Sequence, residues 1–205
     1  MYPRDDGYGN YKKPKGNLII PETVTHKGKT YIVTGINEQT FLRCNELTSV
    51  TIPNSITYIG VRSFLHCDNL TSVTIKSEMN FDYAFLYFKK GGILYKVENK
   101  NEVWVADADE KKYSYSGNIE IPSKVTAGNT FSVTGIESSA FEACMNITSI
   151  SIPNTVKYVG GNAFKSCIHL TAIYCQAYAK PFDWSDQWNP NKYKVVWGAI
   201  DKFKK

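Results

Sequence analysis

The sequence predicts a solenoid: short β-strands stacked as rungs and joined by short helical turns, about six rungs in all, with one inserted β-hairpin. Three observations predict it. Cys44 and Cys67 lie 23 residues apart, and so do Cys144 and Cys167. Residues 31–75 and 131–175 align at an offset of 100 without a gap, with 17 of those 45 positions identical. Short β-branched strings ending in Ile-Pro recur at Ile20-Pro21, Ile52-Pro53, Ile121-Pro122 and Ile152-Pro153. Self-similarity at a period of about 20–50 residues marks repeat architectures.

Four full units occupy residues 33–52, 56–75, 133–152 and 156–175. Seven columns fall into register, and each cell is aliphatic, Phe or Cys. Three of these columns are Phe41/Phe64/Phe141/Phe164, Cys44/Cys67/Cys144/Cys167 and Val50/Val73/Ile150/Ile173. Columns of this kind are the inward face of a repeat that stacks on its neighbours. Within a unit, Leu47, Val50 and Ile52 are apolar, and the last three residues alternate as a strand does. Pro53 cannot donate to a ladder and Asn54 favours a turn, so the strand stops there. Ser63-Phe64-Leu65-His66-Cys67 is too short for a stable helix and reads as one helical turn. The small residues Thr40, Ser63, Ala140 and Ala163 before each Phe predict a close approach between rungs.

Two partial units precede the full ones. Leu18-Ile-Ile20-Pro21 and Ile119-Glu-Ile121-Pro122 match the strand ending. Each leads into a Gly-containing detour, His26-Lys27-Gly28-Lys29 and Ala127-Gly128-Asn129, read as a β-hairpin turn. The six rungs therefore fall at about 18–20, 47–52, 70–75, 119–121, 147–152 and 170–175. Residues 76–118 break the period, and Asn99-Lys100-Asn101 between two apolar runs predicts a hairpin there. The expected organisation is a single domain: a first repeat block at 18–75, the insertion at 76–118, a second block at 119–178 and a C-terminal cap at 179–205.

The string Ile152-Pro-Asn-Thr-Val156-Lys-Tyr-Val159-Gly160-Gly-Asn-Ala163-Phe164-Lys-Ser-Cys167-Ile-His-Leu170 resembles the BspA-type leucine-rich repeat. The match recurs over roughly residues 18–178. The resemblance implies a right-handed leucine-rich-repeat solenoid. It also implies a protein of a bacterial surface or secreted kind, several members of which are linked to adhesion and host-protein binding. It brings no catalytic residues. The first block lacks the hairpin that precedes the second, and the first six residues contain no signal-peptide core. Both suggest that Met1 begins inside a longer parent or that this is a short member.

Composition bounds the rest. Of 205 residues, 42% are hydrophobic and 21% charged, as in a soluble globular chain. The net charge of +5 is mild, and the Lys residues come in scattered pairs with no long basic run, which argues against a nucleic-acid stripe. No apolar run approaches the ~18 residues of a membrane span. Five Cys cannot all pair within the chain, and their whole-repeat spacing reads as buried free thiols. His-Glu-x-x-His and Gly-x-Ser-x-Gly are both missing. Asp107-Ala-Asp109-Glu110 has too few carboxylates for a calcium loop. The expectation is no enzyme, no cofactor and no metal site.

One surface remains as a candidate. Ser49, Thr51, Ser72, Thr74, Ser149 and Ser151 alternate with buried residues and should point outward as a hydroxyl ladder ending in Ala172 and Tyr174. Repeat proteins bind partners on such extended faces. A protein partner such as a host matrix or surface protein is the expectation, with Tyr174 the one bulky anchor. Two alternatives stand beside it. One is a structural component of a larger assembly. The other is a carbohydrate module using Trp184, Trp188 and Trp197, which read otherwise as a hydrophobic cap on the last rung.

Overall fold

A computed structural model describes residues 12–76, 86–106 and 115–203. The strands in chain order are β1 Gly16–Ile19, β2 Thr23–His26, β3 Lys29–Ile32, β4 Gly35–Ile36, β5 Leu47–Ile52, β6 Tyr58–Ile59 and β7 Ser72–Ile75. They continue as β8 Tyr87–Lys90, β9 Ile93–Asn99, β10 Glu102–Val105, β11 Ser116–Glu120, β12 Lys124–Ala127 and β13 Asn129–Ile136. The last are β14 Asn146–Ile152, β15 Tyr158–Val159, β16 Ala172–Cys175 and β17 Val195–Trp197, followed by a 3-10 turn at Ile200–Phe203. Among the described residues the protein is thus mostly β with almost no helix. Two compact units form. Of the described residues, the first takes 12–76, 86–91, 95–102 and 126–131, and the second takes 92–94, 103–106, 115–125 and 132–203.

In the first unit, β1, β5 and β7 pair in parallel. Val50 sits opposite Leu18 on one side and Val73 on the other. The inward columns pack as their spacing predicts: Leu47, Ile52, Ile56, Phe64, Leu70 and Val73 are all fully buried. Phe41 and Phe64 stack with ring centroids 4.9 Å apart. Burying each such side chain is worth about 1.5–3 kcal/mol, which makes the Phe column a main source of cohesion between rungs.

The segments expected to be single helical turns are instead chains of tight turns. Thr40, Leu42 and Cys44 donate their N–H groups to the carbonyls three residues back, at Asn37, Gln39 and Phe41. Gln39, Arg43, Arg62 and His66 have φ between 55° and 59°, so the chain reverses its handedness twice in each turn and no helix propagates. The next rung satisfies the remaining polar groups: the Gln39, Phe41 and Arg43 amides reach the Val61, Ser63 and Leu65 carbonyls at 2.8–3.0 Å. The same pattern links Ser139, Phe141 and Ala143 to Gly161, Ala163 and Lys165 in the second unit.

The hairpin turns follow the sequence. β2 and β3 are antiparallel around Lys27 (φ 49°) and Gly28 (φ 75°), the pair of positive dihedrals that a two-residue type I′ loop requires. Between β9 and β10, the Asn99 side-chain oxygen accepts the Asn101 amide at 2.9 Å, an Asx turn at the expected Asn99-Lys100-Asn101. β8, ahead of this hairpin, is an additional strand that the broken period concealed.

The second unit carries a parallel sheet in the order β11-β14-β16-β17. Phe141 and Phe164 stack at 5.5 Å, as their counterparts do. β17 was not expected. It sets Val195, Val196 and Trp197 opposite Ile173, Tyr174 and Cys175 and extends the ladder past the last repeat. Trp184 and Trp188 are buried, with Trp188 edge-on to Phe164 at 5.8 Å and to Trp184 at 4.9 Å.

Candidate functional site

The hydroxyl residues fall in two sheets. Ser49, Thr51, Ser72 and Thr74 lie on β5 and β7, with Ser49 opposite Ser72 and Thr51 opposite Thr74. Ser149, Ser151 and Tyr174 lie on β14 and β16, with Ser151 opposite Tyr174 and Ser149 opposite Ala172. Six of the seven are half-buried, so the rows are open but not fully solvated. Ser151 is the exception: expected to point into solvent, it is buried at 7% exposure. Its register neighbours are Glu120 and Tyr174, long side chains on the same face, and a short hydroxyl between them is covered.

Each row begins on an asparagine that the repeat columns did not single out. The Asn17 amide oxygen accepts the Ser49 hydroxyl. The Asn118 oxygen accepts both Ser149 Oγ at 2.8 Å and Thr148 Oγ1 at 2.9 Å. The signal was present, because Asn17 precedes Leu18-Ile-Ile20 as Asn118 precedes Ile119-Glu-Ile121. The far end of the first row is closed by Gly128 and Asn129. Gly128 bridges Val73, and the Asn129 side chain bonds both the amide and the carbonyl of Ile75 at 3.2 and 3.1 Å. A strand edge sealed in this way cannot template further pairing.

Tyr174 carries charge beside it. Lys202 Nζ stands 4.8 Å from its ring centroid, a cation over an aromatic face. The ion pair Lys165–Glu142 (2.9 Å) is on the surface, and together with Ser139 it holds the Glu142 carboxyl below its ordinary range. Such exposed pairs add at most about 1 kcal/mol.

The Cys columns are buried free thiols. Cys67 and Cys167 point their sulfurs at the Phe41 and Phe141 carbonyls, at 3.1 and 3.0 Å. Cys67 is pushed up by its hydrogen bond with Cys44 and then by burial. Burial, with the nearby Cys144, pushes Cys167 up to about 12, and burial alone does the same to Cys175. Thiols in this state are poor nucleophiles. Among the described residues, no three His, Cys, Asp or Glu side chains group as a metal site, and no helix is long and apolar enough to cross a membrane. The acidic Asp107-Ala-Asp109-Glu110 lies outside the described residues.

At the C-terminus, the buried Trp184 and Trp188 rings offer no open face for a sugar, whereas Tyr178 and Phe182 are 76% and 97% exposed.

Comparison with solved structures finds a leucine-rich repeat protein from Bacteroides capillosus, 23% identical over 54% of this chain and 97% of that one, with a TM-score of 0.40. A leucine rich cell surface protein from Faecalibacterium prausnitzii is 15% identical over 89% of this chain and 79% of that one, at 0.34. A leucine-rich repeat protein from Bacteroides ovatus is 19% identical over 88% of this chain and 46% of that one, at 0.40. No curated protein matches the chain. The family profile for the BspA type leucine rich repeat region matches in six copies over residues 18–98 and 111–182, in agreement with the column pattern, and this chain belongs to that family.

Proposed function

We propose that this chain is a non-enzymatic protein-binding module of a bacterial surface or secreted protein, serving adhesion. It is built as one right-handed leucine-rich-repeat domain of six rungs whose strand faces meet the partner. The observation that carries the reading is the pair of in-register hydroxyl rows: Ser49 against Ser72 and Thr51 against Thr74 in one sheet, and Ser149 beside Ser151 and Tyr174 in the other. Short hydroxyls make many weak, water-bridged contacts, and Tyr174 adds one amphipathic ring of the type found at hot spots. A partner held by one copy of this face binds weakly, at about micromolar Kd, and several copies add avidity.

The test is surface binding to host matrix proteins, comparing the native chain with a variant in which Ser49, Ser72 and Ser149 become Lys and Tyr174 becomes Ala. Loss of binding with an unchanged thermal melt supports the strand face. Binding that survives all four changes places the contact elsewhere. A second reading, glycan stacking, is favoured by the exposure of Tyr178 and Phe182 and is separated by a glycan array with Phe182→Ala as the control.

A further inference from the structure

The duplication lets one half of the protein report what the other half lacks. In the second block, Gly135 pairs with Tyr158 and Ile136 with Val159. In the first, Gly35 pairs with Tyr58 and Ile36 with Ile59 in the same parallel register. The second copy of this corner is covered. β10 runs beside β13, and its Trp104 ring stacks on Tyr158 at 4.7 Å and 20°. A Cβ on Gly135 would lie 2.5 Å from the same indole, so glycine is required there for the ring to approach. The strand is pinned at its end, where the Glu137 amide donates to the Val105 carbonyl at 2.9 Å.

Among the described residues, no strand covers the first copy. The three atoms nearest a Cβ on Gly35 all belong to Tyr58, at 3.5–3.6 Å, ordinary van der Waals distance. Among the described residues β3 pairs with β2 alone, and its other edge carries no strand. Asn37, the counterpart of Glu137, has no backbone partner for its amide among the described residues. Val24, Tyr31, Ile32 and Tyr58 are 46–68% exposed, whereas Val125 and Phe131, the counterparts of Val24 and Tyr31, are 6% and 0% exposed. Val24, Ile32 and Tyr58, together with Ile20 and Ile36, line a groove of about 1170 Å³. An apolar cleft beside an open strand edge, with a glycine kept where an indole would stand, is a built receptor for a strand.

We infer that this groove binds a β-strand supplied by another polypeptide, a hairpin strand of the Val-Trp-Val type. The strand adds to the free edge of β3 and lays its indole on Gly35 and Tyr58. Backbone pairing supplies general affinity, and the indole in its slot supplies specificity. This rests on the internal duplication and not on the strand-face reading, so either can fail alone.

The experiment uses the full chain and a cyclised, fluorescently labelled peptide of residues 92–106, which carries Trp104 in a preformed hairpin. Fluorescence anisotropy measures binding, and amide NMR shifts locate it. The expected result is saturable binding, with shifts at Ile32, Gly35, Asn37 and Tyr58. The same peptide with Trp104→Ala should bind at least about tenfold more weakly, the scale of an aromatic anchor. Gly35→Leu fills the slot and should block binding. Tyr58→Lys, at an exposed position, serves as a second variant should the first disturb folding. No binding at millimolar peptide, equal binding by the Trp104→Ala peptide, or shifts outside the groove would overturn the inference. So would self-association of the chain that Tyr58→Lys abolishes, because the occupant would then be a second copy.

Discussion

The β-carbon that Gly160 lacks would stand 2.3 Å from the amide nitrogen of Ser138, and the one Gly60 lacks would stand 2.4 Å from that of Glu38. Each turn therefore touches its neighbour backbone to backbone at this point, and a methyl group has no space. Gly160→Ala and Gly60→Ala should each destabilise the fold by about 1–3 kcal/mol, as overpacking does elsewhere. Gly161 is the control, since the nearest atom to its absent Cβ is Ser185 Oγ at 3.5 Å. Gly161→Ala should change stability by no more than about 1 kcal/mol. Urea midpoints for the three variants decide it, and equal losses at 160 and 161 would refute the close approach.

The Phe column predicts a second contrast. Phe64 and Phe164 are fully buried in stacked pairs, while Thr51 is half-buried on the outer face. Phe64→Ala or Phe164→Ala should cost roughly 3–5 kcal/mol. Thr51→Ala should cost less than about 1 kcal/mol. Denaturant melts ranking Thr51→Ala above Phe64→Ala would mean the inward and outward columns are exchanged.

The thiols predict slow chemistry and an alkaline limit. In the folded protein, iodoacetamide should label all five Cys slowly, because each is buried. Cys175 is pushed up from about 9 to about 12 by burial, so the native state holds its proton longer than the unfolded chain does. The corresponding stability is complete below pH 9 and is lost as pH rises toward 12, at no more than about 1.4 kcal/mol per pH unit per thiol. The readout is a difference between two chains. Cys175→Ala should flatten the fall in unfolding free energy between pH 9 and 11 relative to the native chain. Identical slopes would show that the thiol contributes nothing.

Ala143 sits at φ 57° on an exposed turn. An alanine in the left-handed region costs about 1–2 kcal/mol, and a glycine there costs far less. Part of that gain is returned as unfolded-chain entropy. Ala143→Gly should therefore stabilise by up to about 1 kcal/mol, which is unusual for a glycine substitution and measurable as a raised melting temperature. A lowered one would mean that the turn adopts ordinary helical dihedrals.

By itself, the sequence determined which side chains face inward. A period of 23 with Phe, Cys and aliphatic columns can be buried only one way, and Leu47, Val50, Ile52, Phe64 and their counterparts are buried accordingly. It also determined the turns at Lys27-Gly28 and Asn99-Lys100-Asn101, because their geometry depends on local residue types. The candidate strand face was legible to the same extent, since alternation predicts direction. Alternation does not predict coverage, and Ser151 lies buried between Glu120 and Tyr174 for that reason. Tertiary structure alone decided the rest. β17 joins the ladder through pairing with residues of β16, outside any repeat. The turn chains took left-handed dihedrals in place of a helical turn because the next rung supplies their hydrogen bonds. Gly35 and Gly135 occupy matching positions in nearly the same local string, yet one faces an indole and the other an open groove. That difference is set by Trp104, 31 residues before Gly135, and no local pattern around either glycine encodes it.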